Sequence, residues 1–257
     1  MWTSSVVFSK MKIDVSAQTH IGLRRSVNED CYFFDEDAGV YLVADGMGGH
    51  FGGALASRAA ASVFETEYKQ QLADSECSEE IDMISGAVKQ TVKSANDRIY
   101  ELNREHGFND GHGMGTAIAG LCFNDSADKI VVFHIGDSRV YRYRRGVLER
   151  LTRDHSLYQQ WIDDGSKGEP PGKNIILRVI GPYPEAEVDI NTFSCIDGDI
   201  YLMCTDGLTY LVSDEDIKRV LQDRGYPALD NQCQELITEA NRNGGLDNIT
   251  ALMVNLK

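Results

Sequence analysis

Positive charge is scarce in this sequence: 25 Lys and Arg stand against 40 Asp and Glu in 257 residues, a net charge of −15. A surface of that sign repels phosphate backbones, which excludes nucleic acid as a partner, and most of the excess serves solubility. Long apolar runs are missing too. Stretches such as 130–135 and 200–204 fall far short of the roughly 18 residues a membrane span needs, so no membrane partner is expected. The first dozen residues lack the charged leader, apolar stretch and small-residue cleavage site of a secretory signal, and Met11 stands as an alternative start. The six cysteines include no CxxC pair, which removes zinc-ribbon and dithiol chemistry. Several sit in apolar runs, the pattern of reduced, buried thiols in a cytoplasmic protein. Familiar catalytic signatures are also absent: GxxxxGK[ST], HExxH, GxSxG and GxGxxG do not occur, and the six histidines are never paired at ligand spacing.

What is present is the material of a soluble globular protein, 42% hydrophobic and 25% charged, enough for a large core. Residues 40–44 form an apolar run ending in Asp45 and a glycine cluster, a buried strand entering a tight loop. Helix formers dominate 53–72. In a second helix, 79–106, Ile81, Ile84, Val88, Val92, Ala95, Ile99 and Leu102 recur at steps of three and four, which defines one core-facing side. The period then becomes that of sheet over 116–123, 129–135, 139–144 and 147–151, and the short connections favour antiparallel hairpins. Segment 154–184 holds four of the five prolines and reads as a long irregular surface stretch, of a kind that is usually functional. Strands at 188–193 and 199–204, a helix capped by Ser213, a helix over 230–242 and a last strand over 249–256 complete an α+β pattern.

Four aspartates recur in one context, beyond an apolar strand and beside a residue that permits a sharp turn: Asp45, Asp137, Asp206 and Asp247. Any one alone is an ordinary turn aspartate bonding nearby amides. Four together are different, because strand ends emerging on one side of a sheet would converge carboxylates that repel unless a cation lies between them. Oxygen donors without His or Cys select hard divalent ions, magnesium or manganese over zinc or copper. Gly46 could add a backbone carbonyl, since no side chain shields it. No segment has the closely spaced ligand loop of an EF-hand.

The motifs GLRRSVNED (22–30), VADGMGGH (43–50), GMGTA (113–117), GDSRVYR (136–142), LTRDHS (151–156), CTDGL (204–208) and DNIT (247–250) follow one another along nearly the whole chain. In that order and spacing the sequence resembles the metal-dependent protein phosphatases, protein phosphatase type 2C, in their bacterial form. The resemblance implies an α+β, four-layer α-β-β-α sandwich of two antiparallel sheets with a binuclear metal centre at one end. It implies a single phosphatase domain over 1–257, with 1–12 as an N-terminal extension and 154–184 as a flap beside the active site. Asp45 would bridge two Mn²⁺ or Mg²⁺ ions, the Gly46 carbonyl would complete one, and Asp206 with Asp247 would hold the other. Asp137 would support a third, weaker ion together with Asp206. Glu29 would orient metal-bound water, and Arg25 would grip the substrate phosphate, with Arg24 as the competing candidate.

The implied reaction is hydrolysis of phosphoserine and phosphothreonine in proteins by direct attack of a metal-bridging water, without a phosphoenzyme. Phosphorylated proteins are then the partners, a Ser/Thr kinase the opposing enzyme, signalling the context and a cytoplasmic monomer the expected form. The alternative is a catalytically silent phosphoprotein-binding module on the same fold. Ala117 and Thr205 depart tolerably from the family's usual residues. Met47 stands where eukaryotic relatives often carry a histidine proposed as general acid, so metal-bound water or solvent must protonate the leaving alkoxide. His50 is open to an acid role or a structural one, and the flap, with Tyr158 and Trp161, to a phosphopeptide lid or a merely flexible loop.

Overall fold

The computed structural model describes residues 12–48, 52–75, 77, 79–222 and 229–257, leaving His50 and most of the expected N-terminal extension outside the described residues. Ten strands form two antiparallel five-stranded sheets. One has the order β1(Ile13–His20), β10(Ile249–Leu256), β9(Ile200–Cys204), β6(Arg139–Arg144), β7(Val147–Arg150); the other runs β2(Asp30–Asp35), β3(Val40–Met47), β4(Gly115–Phe123), β5(Lys129–Ile135), β8(Asp189–Ser194). Alternation along each strand builds the layers. On β3, Tyr41 and Val43 point into the core between the sheets, where Leu121, Tyr201, Met203, Leu252 and Val254 meet them. The alternate residues Val40, Leu42 and Ala44 face α1(Gly52–Ala73) and α2(Glu80–Glu105). On β10 the division repeats, with Ala251 and Met253 turned toward α5(Asp214–Gln222) and α6(Leu229–Arg242). Burial of both faces explains why 40–44 is an unbroken apolar run rather than an alternating one.

The α-β-β-α order matches the expectation, and several element boundaries differ from it. β3 does not end at residue 44: its ladder with β4 continues through Asp45↔Ala117, Gly46↔Thr116 and Met47↔Gly115, which places Asp45 and Gly46 inside the strand. Asp247 precedes its strand rather than following one, because it lies between α6 and β10. β1 and β2 have no counterpart in the sequence reading. β1 is half-exposed and polar at alternate positions, and β2 is only six residues long and carries an aspartate at each end. The 154–184 segment is less irregular than its prolines imply: it contains α3(Leu157–Asp163), capped by Ser156 Oγ, which accepts from the Gln159 amide at 3.2 Å. The Arg145–Gly146 turn joining β6 to β7 has φ of 50° and 85°, the left-handed pair a two-residue hairpin requires.

Phe133 on β5 stacks against Phe64 on α1, with ring centroids 5.3 Å apart and planes 8° apart, and both rings are buried. That pair fixes α1 on its sheet, and α1 in turn abuts the end of β3. Phe133→Ala should lower the unfolding free energy by about 3–5 kcal/mol through lost burial and a residual cavity. Urea denaturation followed by circular dichroism reads this as a fall in midpoint with little change in slope.

Candidate metal centre

Antiparallel pairing decides where the aspartates go. β2 begins where β3 ends, so Asp30 pairs directly with Asp45. β5 ends where β4 begins, which brings Asp137 to the same edge. In the other sheet β9 ends where β10 begins, with Cys204 opposite Ala251, so Asp206 and Asp247 flank that end. Asp206 opens the short helix α4(Asp206–Thr209). The structure therefore gathers Asp45, Asp137, Asp206 and Asp247 at one end of the sandwich, together with Asp30, which the sequence reading did not single out.

These carboxylates perturb one another. Desolvation first, and mutual repulsion next, raise the proton affinity of Asp30, Asp45, Asp137 and Asp206 above the ordinary carboxylate range. Asp30 is nonetheless well satisfied: its Oδ2 accepts from Thr205 Oγ1 at 2.8 Å and Thr250 Oγ1 at 2.7 Å. Thr250 is in turn met by Thr19 Oγ1 at 2.8 Å. By contrast Asp137 Oδ1 and Glu29 Oε1 are buried without a hydrogen-bond partner. Buried carboxylate oxygens left without donors, beside further carboxylates, fit a divalent cation bound through oxygen.

Gly46 is required by space. A Cβ there would lie 2.1 Å from the Gly53 carbonyl oxygen and 2.6 Å from the Glu29 carbonyl oxygen. The start of α1 therefore packs directly on the end of β3, tied by Ser57 Oγ donating to the Glu29 carbonyl at 2.6 Å. Gly22, at φ 81°, makes a similar approach on the other side, where a Cβ would meet the Asp247 carbonyl oxygen at 2.1 Å. Between them, Asn248 staples the 21–29 loop: its Oδ1 accepts from the Glu29 amide at 2.8 Å, and its Nδ2 donates to Ile21 and Val27 carbonyls at 2.9 and 3.0 Å. Asn248 was visible in DNIT only as a neighbour of Asp247.

Arg25 lies exposed at the rim, and its Nη2 donates to Asp247 Oδ2 at 2.6 Å. Arg24 is exposed. Arg139 of GDSR points the other way, forming a two-pronged pair with Asp154 at 3.0 and 2.6 Å that anchors the start of the 154–184 segment. Tyr210, just past α4, brings its hydroxyl near Asp137 and the same segment.

A second group lies beside this ring. Among the described residues, His134, His155 and Asp189 are the set whose potential donor atoms all fall within 4.8 Å of one another. Their hydrogen bonds do not leave three lone pairs for a metal. His155 Nδ1 accepts from the Gly136 amide at 3.2 Å, so the neutral ring carries its proton on Nε2, which lies 3.2 Å from Asp189 Oδ2. His134 Nε2 donates to the Arg153 carbonyl at 2.7 Å, and Arg178 already pairs with Asp189 at 3.0 Å. The group serves instead to hold Gly136, next to Asp137, from both sides, since the His155 amide also donates to the Gly136 carbonyl at 2.8 Å. No three of the ring's carboxylates, among the described residues, bring donor atoms that close together.

A sequence model of the protein phosphatase 2C family matches residues 19–239. A putative protein phosphatase 2C-type protein of Streptococcus pyogenes is 35% identical over 248 residues, 93% of this chain and 96% of the relative. The serine/threonine phosphatase of S. agalactiae, a solved structure, superposes with a TM-score of 0.82 at 36% identity, covering 96% of this chain and 100% of that one. The catalytic domain of the serine/threonine phosphatase PstP, solved with two manganese ions, gives a TM-score of 0.80 at 29% identity over 96% of this chain and 99% of that one. The family match stops short of Asp247, whose place in the ring rests on the β9–β10 register.

Without cations the ring opposes folding. Carboxylates whose proton affinity is raised in the folded state stabilise it fully below their unfolded pKa, and that contribution is lost as pH rises through the folded value. The stability of chelated protein should therefore fall between about pH 4 and neutrality, from the ordinary carboxylate value upward. Asp206→Asn should flatten that fall and, at pH 8, raise the melting temperature by roughly 2–4 °C for each kcal/mol of repulsion relieved. Calorimetric melts in EDTA check this, and a lower melting temperature for the variant at pH 8 would count against the repulsion.

Proposed function

The chain belongs to the protein phosphatase 2C family and is a metal-dependent protein serine/threonine phosphatase, and we propose that Asp45, Gly46, Asp206 and Asp247 hold its two Mn²⁺ or Mg²⁺ ions. Asp45 would be shared between the ions, the Gly46 carbonyl would serve one, Asp206 and Asp247 would serve the other, and Asp137 with Asp206 would hold a third, weaker one. The observation that carries this assignment is the convergence of carboxylates from both sheets at one end, with unpartnered oxygens on Asp137 and Glu29. When bound, the ions supply an acidified water as nucleophile at neutral pH and neutralise charge on the phosphoryl group.

The protein's own groups do the rest. Arg25 at the rim presents a planar fork of donors that suits two phosphate oxygens. Glu29, its backbone fixed by Asn248, Gly46 and Ser57, orients water at the site. Asp30, clamped by Thr205 and Thr250, keeps the start of β2 and the end of β3 in register, and so holds the Asp45 carboxylate in place. Met47 offers no transferable proton, which leaves protonation of the leaving group to solvent or to a water that the ions would hold. The silent binding module is disfavoured because the ring keeps its full set of carboxylates.

The substrates are phosphoproteins, a Ser/Thr kinase is the enzyme opposed, and the chain works as a monomeric single domain in the cytoplasm. The cysteines are unpaired, four of them buried, as in a reducing compartment. Among the described residues no helix is long and apolar enough to cross a membrane. Tyr158 and Trp161 on α3 give the 154–184 segment an aromatic face for the peptide around the phosphoresidue.

Hydrolysis of p-nitrophenyl phosphate should stop in EDTA and return with Mn²⁺ or Mg²⁺, while calcium supports it poorly because its larger, looser shell positions water less well. Asp45→Ala and Asp247→Ala should each fold yet keep less than about a tenth of the wild-type rate, a loss of at least about 1.4 kcal/mol in transition-state stabilisation. Turnover undiminished in chelator would sink the metal mechanism.

Arg25→Ala should lower kcat/KM on a phosphopeptide about tenfold to a hundredfold, the worth of roughly 1.5–3 kcal/mol in a charge-assisted contact. Its metal affinity should stay equal or tighten, since the variant frees Asp247 from its 2.6 Å arginine partner. Arg24→Ala is the control and should be nearly silent. Steady-state kinetics paired with calorimetric metal titration gives both readings, and a reversed pattern would shift the assignment by one residue.

A further inference from the structure

Two leucines stand in water beside the proposed phosphate grip: Leu23 is 62% exposed and Leu246 is 56% exposed. One exposed leucine is ordinary on any protein surface. This pair differs, because two loops far apart in sequence bring it together. The Leu23 amide donates to the Gly245 carbonyl at 2.7 Å, which ties the 21–29 loop to the turn between α6 and β10. That turn carries Gly244 and Gly245 at φ of 124° and 50°, where side chains are disfavoured, and the leucines use the surface left bare. A Cβ on Gly245 would lie 2.7 Å from Leu23 Cγ, and one on Gly244 would lie 3.6 Å from Leu246 Cδ2. The two side chains thus cover adjacent glycines and make one apolar step. Arg25 is two residues beyond Leu23 and Asp247 follows Leu246, so the 2.6 Å contact between Arg25 and Asp247 shares the same rim. Both loops are held in place. Gly244 and Gly245 amides donate to the Asn241 and Ala240 carbonyls at 3.0 and 3.1 Å, Asn243 Nδ2 donates to the Leu211 carbonyl at 2.8 Å, and the Gly22 amide donates to His20 Nδ1 at 2.9 Å. Apolar surface kept in water on a fixed backbone binds a partner at little cost in ordering.

We propose that Leu23 and Leu246 form a specificity subsite that takes a large apolar side chain next to the phosphoserine or phosphothreonine of a protein substrate. This rests on the reading of Arg25 as the phosphate grip. With the phosphoryl group on Arg25, an extended peptide advances about 3.3 Å per residue, so a side chain one or two positions from the phosphoresidue reaches the step. The chemistry of the step selects its occupant. A charged or amide side chain laid on two leucines gives up hydration for no hydrogen bond, whereas Leu, Ile, Met or Phe takes apolar area on both partners out of water. Arg25 supplies an attraction common to every phosphoester, and the leucines supply a choice among them. The preferred substrates are therefore phosphoproteins whose phosphoresidue has an apolar neighbour in sequence.

The test uses the full chain with MnCl₂ and phosphoserine peptides that differ at one position, Leu or Gln placed one or two residues before or after the phosphoserine. For at least one placement, kcat/KM should be about threefold to tenfold higher with Leu, the range expected when part of a leucine is covered. In the double variant Leu23→Ser, Leu246→Ser that ratio should fall close to unity, while Leu23→Met, Leu246→Met should keep it. The ratio is taken within each variant, so a general change in activity or in the amount of folded protein cancels. Equal kcat/KM for the Leu and Gln peptides at every placement in the wild type overturns the proposal, as does a preference that survives in the serine double variant. Sedimentation that depends on concentration in the wild type and not in the serine double variant would make the step a contact between copies of this chain, and would also overturn it. Arg25→Ala tests the underlying reading alone: it should lower kcat/KM for both peptides by the same factor and leave their ratio intact. If it lowers neither while the ratio still collapses with the leucines, the phosphate grip is misassigned and the subsite stands.

Discussion

Mutual repulsion among carboxylates desolvated at one end of two sheets is the constraint on which the rest of this architecture turns. Asp30, Asp45, Asp137 and Asp206 all bind protons more tightly than ordinary carboxylates because burial and their neighbours disfavour the charged forms. A fold that assembles such a group must brace it while it is charged. The braces are visible: a threonine pair under Asp30, a two-sided histidine grip on Gly136 beside Asp137, and an asparagine that staples the loop leading to Glu29. Each is a neutral group, so none cancels the negative charge that a divalent ion is left to balance. Arg25 pairs with Asp247 from the exposed rim.

Register converts that local chemistry into a site. A slip of one residue between β2 and β3 would turn Asp30 away from Asp45, and a slip between β9 and β10 would separate Asp206 from Asp247. Both pairings are locked by cores on two sides, because every residue of β3 from Val40 to Ala44 and of β10 from Ile249 to Val254 is buried. The phenylalanine stack that holds α1 therefore acts on the site at a distance: α1 begins where Gly53 meets Gly46, and the closeness of that contact fixes where the Gly46 carbonyl points.

Much of this was legible in the sequence, and the gaps have physical causes. Asp45, Asp137, Asp206 and Asp247 stood out because each combines a turn-permitting neighbour with an apolar strand, a signal that survives without knowledge of pairing. Asp30 did not, because its partners Thr205 and Thr250 are 175 and 220 residues away and only the fold brings them close. The histidine pair escaped for the same reason: His134 and His155 lie on different elements, and their spacing follows no ligand pattern. β1 and β2 were unread because strands that are short and only half-buried lack a strong period. Inside the flap, prolines and glycines masked α3, whose seven residues are too few to show a helical repeat.

The carboxylates divide by how well they are satisfied. Asp30 spends Oδ2 on two hydroxyl donors and is fixed by them, so it shapes the site without needing an ion. Asp137 keeps Oδ1 unpartnered, and Glu29 keeps Oε1 unpartnered, while their backbones are tightly held. An oxygen kept free on a rigid main chain is pre-organised: binding an ion or orienting a water there costs little further ordering of the protein. The same distinction separates the residues that define the end of the sandwich from those that do chemistry in it. It also explains why adjacent Glu29 and Asp30, alike in charge, play different parts: the first precedes β2 beneath the start of α1, and the second opens the strand and looks across to Asp45.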